Sequence, residues 1–267
     1  MTIRDQKKGM PNDNKRVGAK RRSEIPAKTL AALNAGLIET ANLVEVLAID
    51  FALLMHKLSP KIPKSALQGL ASSAGLGITK RMLLGGEILL EHLGFSALET
   101  LQSHPADTVR GWACFIVGLT PKLSLAKRLQ LIRPLADDPH SGVREWAWMA
   151  IRPSVAQELD TAILRLSPWV LEESDYLRRY ASEITRPRGV WCTHIERLKA
   201  DPKIALPLLN PLRSDKAKYV QNAVGNWLND AAKSHPLWVQ AQCKKWLKES
   251  DTLETAKICR RALRSLS

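Results

Sequence analysis

The chain has 267 residues and carries 40 Lys and Arg against 26 Asp and Glu, a formal charge of +14. That length allows a sizeable core, and the charge makes a polyanion the first partner to weigh, ahead of an anionic membrane surface. Apolar content rich in Ala and Leu, eight Trp against three Tyr and three Phe, and few alternating Val/Ile/Thr runs exclude a sheet-based fold and point to an all-α class.

In chain order, residues 1–24 are polar and basic (Lys7, Lys8, Lys15, Arg16, Lys20, Arg21, Arg22) and interrupted by Gly9, Pro11 and Gly18. They offer too little apolar surface to offset the cost of ordering, so a disordered basic arm is expected. It carries no apolar signal core, which makes a cytoplasmic protein the default expectation. Residues 25–267 form the folded domain. The most apolar stretch, Leu37 to Met55, is broken by Glu39, Glu45 and Asp50 at helical spacing and reads as one core helix, not a membrane span. Amphipathic segments follow, separated by breaks at Ser59-Pro60, Gly94, His104-Pro105, Pro121, Asp138-Pro139, Pro153, Pro187, Asp201-Pro202, Ser214-Asp215, His235-Pro236 and Ser250-Asp251. Polar residues followed closely by Pro or an acid start helices. The cysteines, Cys114, Cys192, Cys243 and Cys259, are widely spaced, form no CxxC pair and lie near no histidine cluster, so neither a zinc site nor a disulfide framework is expected.

The breaks recur. Val109-Arg110, Val143-Arg144, Leu177-Arg178 and Val220-Gln221 lie 34, 34 and 43 residues apart, with a weaker fifth copy near Ala256-Lys257. These are helical-hairpin periods. The segment Leu135 to Ala147, LADDPHSGVREWA, resembles the HEAT repeat, which implies an α–α superhelix with a concave basic groove.

Repeats allow each residue to be compared with its equivalents. Trp112, Trp146 and Tyr180 share one position with Ala223, and Ala113, Ala147 and Ala181 share the next with Val224; repetition marks both as packing. Trp148 stands where other copies hold Cys114, Ser182 and Gly225, and Glu183 where they hold Phe115, Met149 and Asn226. A carboxylate at such a position needs a partner or water. Glu183 is thus either a groove residue or an ion-pair partner of Arg179 and Arg186, four before and three after it. Arg110, Arg144 and Arg178 read either as a phosphate stripe or as partners of the acid in the preceding turn, Asp138 for Arg144. Arg179, Arg186 and Arg188, which do not recur, are the better phosphate candidates.

The run Arg178 to Trp191, RRYASEITRPRGVW, is similar to the S-E-x-x-R-P-R-x-x-W signature of the AlkC-type DNA alkylation repair glycosylases. Tyr219 to Pro236, YVQNAVGNWLNDAAKSHP, resembles another stretch of that family and retains Asn226, Leu228, Asn229, Asp230, Ala232, Lys233, His235 and Pro236; Ala150 to Pro153 matches its A-I-R-P. Leu33 to Asp50 is also similar to its members, and the resemblance covers most of residues 26–249, densely over 143–236. It implies a glycosylase that removes positively charged N-alkylated bases such as 3-methyladenine from duplex DNA, as a monomer and without metal or other cofactor. Glu183 would supply the catalytic carboxylate, Trp148 and Trp191 ring faces for the cationic lesion or sugar, and Arg152, Arg186 and Arg188 phosphate contacts. Asn229, Asp230 and Lys233 would either touch DNA or cap helices and bond between repeats. The resemblance also implies a second glutamate 35 positions before the first, where this chain has Trp148. Glu145, three residues earlier and within about 60° of the same helix face, is the candidate substitute. A catalytically silent DNA-binding relative and a protein-interaction scaffold remain the alternatives.

Overall fold

The computed structural model describes residues 16–189 and 191–266, and its regular structure there is helical throughout. The chain opens with α1 (Ala27–Asn34), α2 (Leu43–Ala48), α3 (Phe51–Leu58) and α4 (Lys64–Ser72), followed by the long α5 (Ile78–Leu93). Hairpins then alternate: α6 (Leu98–Gln102) and α7 (Asp107–Leu119), α8 (Leu125–Ala136) and α9 (Ser141–Gln157), α10 (Leu159–Leu166) and α11 (Asp175–Ile184). After α12 (Glu196–Ala200) and α13 (Leu206–Leu209) come α14 (Lys218–Ala232), α15 (Pro236–Glu249) and α16 (Leu253–Leu263). The second helices form one layer, in which α5, α7, α9, α11, α14 and α16 each pack on the next, while α6, α8, α10 and α15 lie against them as a second layer. This is the α–α superhelix expected from the repeats.

The core runs along the seam between the layers. Trp112, Tyr180, Trp227 and Trp246 are all but fully buried, and burial of each large ring contributes about 1.5–3 kcal/mol. Trp227 also donates its indole N–H to the Thr185 carbonyl at 2.9 Å, and Trp246 its own to Asn210 Oδ1 at 3.0 Å.

The repeated cation serves the stack itself. Arg110, Arg144 and Arg178 each donate to the two carbonyls six and five residues earlier, and Gln221 does the same through its amide. Two of them reach forward as well, Arg110 to Asp138 at 2.8 Å and Arg178 to Asp215 at 2.6 Å. The acid partner therefore belongs to the following repeat, because the preceding turn offers its carbonyls and leaves its carboxylate for the cation before it. Arg144 instead stacks on the rings of Tyr176 at 3.8 Å and Tyr219 at 5.2 Å.

Two segments differ from expectation. Leu37 to Met55 is not one helix: Gly36, at φ +70°, ends α1, Asn42 caps α2 by accepting from the Glu45 N–H, and Asp50 caps α3 by accepting from Leu53. Pro153 ends nothing. It removes the N–H that would meet the Met149 carbonyl, yet α9 runs another turn to Gln157.

The expected disordered basic arm, residues 1–24, falls partly on described residues. Residues 1–15, with Lys7, Lys8 and Lys15, lie outside the described residues, but Arg16 pairs with both oxygens of Glu45, and the Ala19 carbonyl accepts from Asn42. The reason is Glu45, whose carboxylate is 1% exposed and needs a cation. Burial pushes its carboxyl up, and the Arg16 guanidinium together with the Ala41 N–H outweighs this and holds it below its ordinary value. A carboxyl depressed in the folded state stabilises above its unfolded pKa, and that stabilisation is lost as pH falls through the folded value. Arg16→Ala is expected to destabilise the protein by about 1.5–3 kcal/mol at neutral pH, with a smaller difference from wild type in acid; urea denaturation at both pH values checks it.

Candidate active site

A cavity of about 520 Å³ opens where α9, α11 and α14 come together opposite residues 40–46. The facing wall is pinned in place. Thr40 gives its N–H and hydroxyl to the two carboxylate oxygens of Asp107 at 2.8 and 2.7 Å, and His140 Nε2 bonds the Thr40 carbonyl at 2.8 Å. Because His140 Nδ1 accepts from the Gly142 N–H, the ring is the Nε2–H tautomer.

From the helical side, α9 contributes Glu145, Trp148 and Met149, α11 contributes Arg179 and Glu183, and the segment after α11 contributes Arg186. Glu183 is 4% exposed, and its carboxylate accepts from Arg186 Nη1 at 2.8 Å and lies 3.6 Å from Arg179 Nη2. Arg179 Nη2 also donates to Glu145 Oε1 at 2.6 Å, while the other oxygen of Glu145 accepts from the Trp148 indole N–H at 2.8 Å. Arg186 continues the chain to Asp230 at 2.7 Å, and Asp230 meets Lys233 at 3.4 Å. The result is a line of alternating charge from Trp148 through Glu145, Arg179, Glu183, Arg186 and Asp230 to Lys233. Helical spacing places residues 179 and 183 on one face of α11, Arg186 follows its C-cap Thr185 and turns back onto Glu183, and the α9–α11 and α11–α14 contacts supply the rest.

Burial works against both arginines and their carboxylate neighbours outweigh it, so Arg179 and Arg186 are held above the ordinary guanidinium value. The line alternates three carboxylates with three cations and is formally neutral; Glu183 and Asp230 are its buried acids, whereas Glu145 is 35% exposed and Lys233 half-exposed. Rings border these charges. Trp148 and Trp191 line the cavity, and Tyr219 lies under Arg179 with its centroid 4.4 Å from the guanidinium carbon. Trp191 is 63% exposed and sits at φ +60°, a conformation that costs a bulky residue energy.

The remaining expected residues fall elsewhere. Arg152, 2% exposed, gives its guanidinium to the carbonyls of Ile184 at 2.7 Å, Arg186 at 2.6 Å and Thr193 at 3.1 Å. It does not stand ready for a phosphate, because these three carbonyls use it; it fixes the segment that carries Arg186. Arg188 lies outside the cavity and donates to Ser234 Oγ at 2.7 Å. Asn229 is buried and bonds the Ala262 carbonyl at 3.0 Å and Ser265 Oγ at 2.8 Å, the inter-repeat role. Trp148 is 2% exposed and lines the cavity. Tyr219, Asn222 and the wall at residues 40–46 were not singled out as site residues. Their signal was present in the two stretches similar to the AlkC type, where Tyr219 and residues 40–46 lie. Among the described residues, no group of three or more His, Cys, Asp or Glu could hold a metal ion, and no helix is long and apolar enough to cross a membrane.

Residues 125–266, more than half of the chain and the part that holds α9, α11 and α14, match the DNA alkylation repair enzyme family. The chain belongs to this family. Over 97 residues it is 37% identical to the uncharacterized protein YhaZ of Bacillus subtilis (strain 168), an alignment covering 36% of this chain and 27% of YhaZ. Its structure is similar, at 26% identity and a TM-score of 0.62, to the alkylpurine DNA glycosylase AlkC of Pseudomonas fluorescens bound to DNA containing an abasic site analog. That match covers 83% of this chain and 62% of AlkC. The chain therefore spans less than two thirds of the length of either relative. Membership in the DNA alkylation repair enzyme family accords with a helical array that holds a ring-lined cavity with two carboxylates on its wall.

Proposed function

We propose that this protein is a DNA N-glycosylase that releases positively charged N-alkylated bases, 3-methyladenine among them, from duplex DNA as a monomer. The observation that carries this reading is the carboxylate pair Glu145 and Glu183, bridged by Arg179 on the wall of one cavity. A cationic base is already a good leaving group. When the C1′–N bond breaks, its electron pair neutralises the base, and positive charge passes to the sugar as an oxocarbenium-like centre. Fixed negative charge beside that centre stabilises the transition state more than the ground state. Water then adds at C1′ and loses its proton to a carboxylate, which leaves an abasic site and the free base. Glu183 is the closer candidate for the sugar, and Glu145 the second carboxylate, displaced by three residues from the place where Trp148 stands. Trp148 and Trp191 offer ring faces to the cation. The likeness to AlkC, a protein solved with abasic-site DNA, supports the same substrate class.

The test is base release. Purified protein incubated with methylated duplex DNA is expected to liberate free base and leave alkali-labile sites; intact DNA after prolonged incubation would overturn the proposal. That second outcome, with duplex binding retained, would favour a catalytically silent DNA-binding relative, the reading motivated by Trp148 at the expected glutamate position. Trp148→Phe keeps a ring but removes the N–H that holds Glu145. A hydrogen bond to a charged group is worth about 1.5–3 kcal/mol, so excision is expected to slow by about 10- to 100-fold, read under single turnover; an unchanged rate would remove Glu145 from the site.

A further inference from the structure

Beside the cavity lies a second recess of about 510 Å³ between α14 and α16, with a very different charge balance. Lys216, Lys218, Lys257, Arg260, Arg261 and Arg264 line it, against the one acid Glu254. Among the described residues, no ion pair joins Lys216, Lys218, Lys257, Arg260 or Arg261 to a carboxylate, whereas Arg179 and Arg186 in the cavity are both paired. Like charges held this close repel, and their clustering is stabilised when an anion joins them. Residues 257, 260, 261 and 264 follow helical spacing along the exposed face of α16, while Thr255, Ile258, Cys259 and Ala262 form its buried face.

Two features make the recess a continuation of the cavity. Asn222 lines both. Arg261 Nε donates to Asn226 Oδ1 at 2.9 Å, and Asn226 is itself on the cavity wall. The close approach of α16 to α14 depends on Gly225, where a Cβ would lie 2.8 Å from Cβ of Arg261.

We infer that the α14–α16 recess is a second anion subsite, which holds phosphodiester groups of the same duplex whose damaged nucleotide occupies the cavity. From residue 257 to 264 the cations extend about 10 Å along the helix axis, longer than one phosphate and suited to consecutive phosphates of a strand. The subsite deepens the proposed function and rests on it for the identity of the duplex, but not on excision. Its contacts are to the backbone, so they set register and affinity without reading sequence.

The test is the affinity of the full chain for an undamaged duplex across a range of salt. Lys257→Ala with Arg260→Ala is expected to weaken binding about tenfold in moderate salt. The plot of log affinity against log salt should become shallower by about 2, one phosphate for each lost cation. Lys244→Ala with Lys248→Ala, on α15 in the second layer, changes net charge equally and is expected to leave the slope near wild type. Equal losses in both double variants would reduce the effect to total charge and overturn the subsite, as would no loss in the first, or a loss seen on anionic vesicles but not on the duplex. Circular dichroism confirms that each variant is folded, which both are expected to be because all four side chains are exposed. If base is released but Lys257→Ala with Arg260→Ala binds like wild type, the subsite fails alone. If no base is released yet the slope changes as expected, the glycosylase reading fails and the subsite stands.

Discussion

Glu183→Gln is expected to slow base release from methylated duplex DNA by about 10²–10³-fold under single-turnover conditions. The magnitude follows from removing one preorganised partner of developing charge, about 2.7–4 kcal/mol in the barrier. Glutamine keeps the shape and its Oε1 can still accept from Arg186, so the cavity persists while the charge beside the sugar is lost. The cavity wall then loses one buried negative charge, and a cationic transition state loses its nearest buried carboxylate. Duplex binding, governed by exposed cations, is expected to stay within a few-fold of wild type. A rate within twofold of wild type would mean that the carboxylate serves only as an ion-pair partner within its helix.

Arg186→Met is expected to cost about 3–5 kcal/mol of stability, the range for breaking a buried pair by removing one partner. It would leave Glu183 without its 2.8 Å contact and Asp230 without its 2.7 Å contact, both carboxylates being about 5% exposed. For a chain of this size each kcal/mol moves the melting temperature by about 2–4 °C, so a drop of about 6–20 °C is expected by calorimetry. A drop below 2 °C would show that Arg179 and Lys233 suffice for the two acids. The loss is expected to exceed that of Glu183→Gln, since a neutral glutamine leaves no charge stranded.

The fold was largely readable because a repeat states its own period. Recurrent Val-Arg pairs located the second helix of each hairpin, and Trp112, Trp146 and Tyr180 at one repeated position are all buried. What periodicity could not convey was which atoms each polar group would choose. Asp138 was expected to serve Arg144 of its own turn and instead serves Arg110 of the repeat before. Leu37 to Met55 reads as one apolar run, yet Asn42 and Asp50 cap separate helices within it, because their side chains capture backbone N–H groups that a continuous helix would use.

The site shows the same division. Glu183 stood out because its repeat equivalents are not acidic, and it lies on the cavity wall. Glu145 was within reach by helix geometry alone, and the cavity has its carboxylate bonded to Trp148, the very residue that occupies the expected glutamate position. Arg152 was assigned to phosphate by the resemblance, and its partners are three carbonyls distant in sequence, which no local pattern reveals. The cations of α16 escaped notice because the fifth repeat is the weakest copy, so Lys257 and Arg260 had no equivalents against which to look unusual.

The most direct measurement compares affinities for two duplexes, one with a neutral tetrahydrofuran abasic analogue and one with a pyrrolidine that is cationic at the sugar. Wild-type protein is expected to prefer the cationic mimic by at least about 100-fold, as transition-state analogues are preferred, and Glu183→Gln to lose most of that preference while binding the neutral duplex normally. Equal affinity of the wild type for both duplexes would contradict a carboxylate facing the sugar from this cavity.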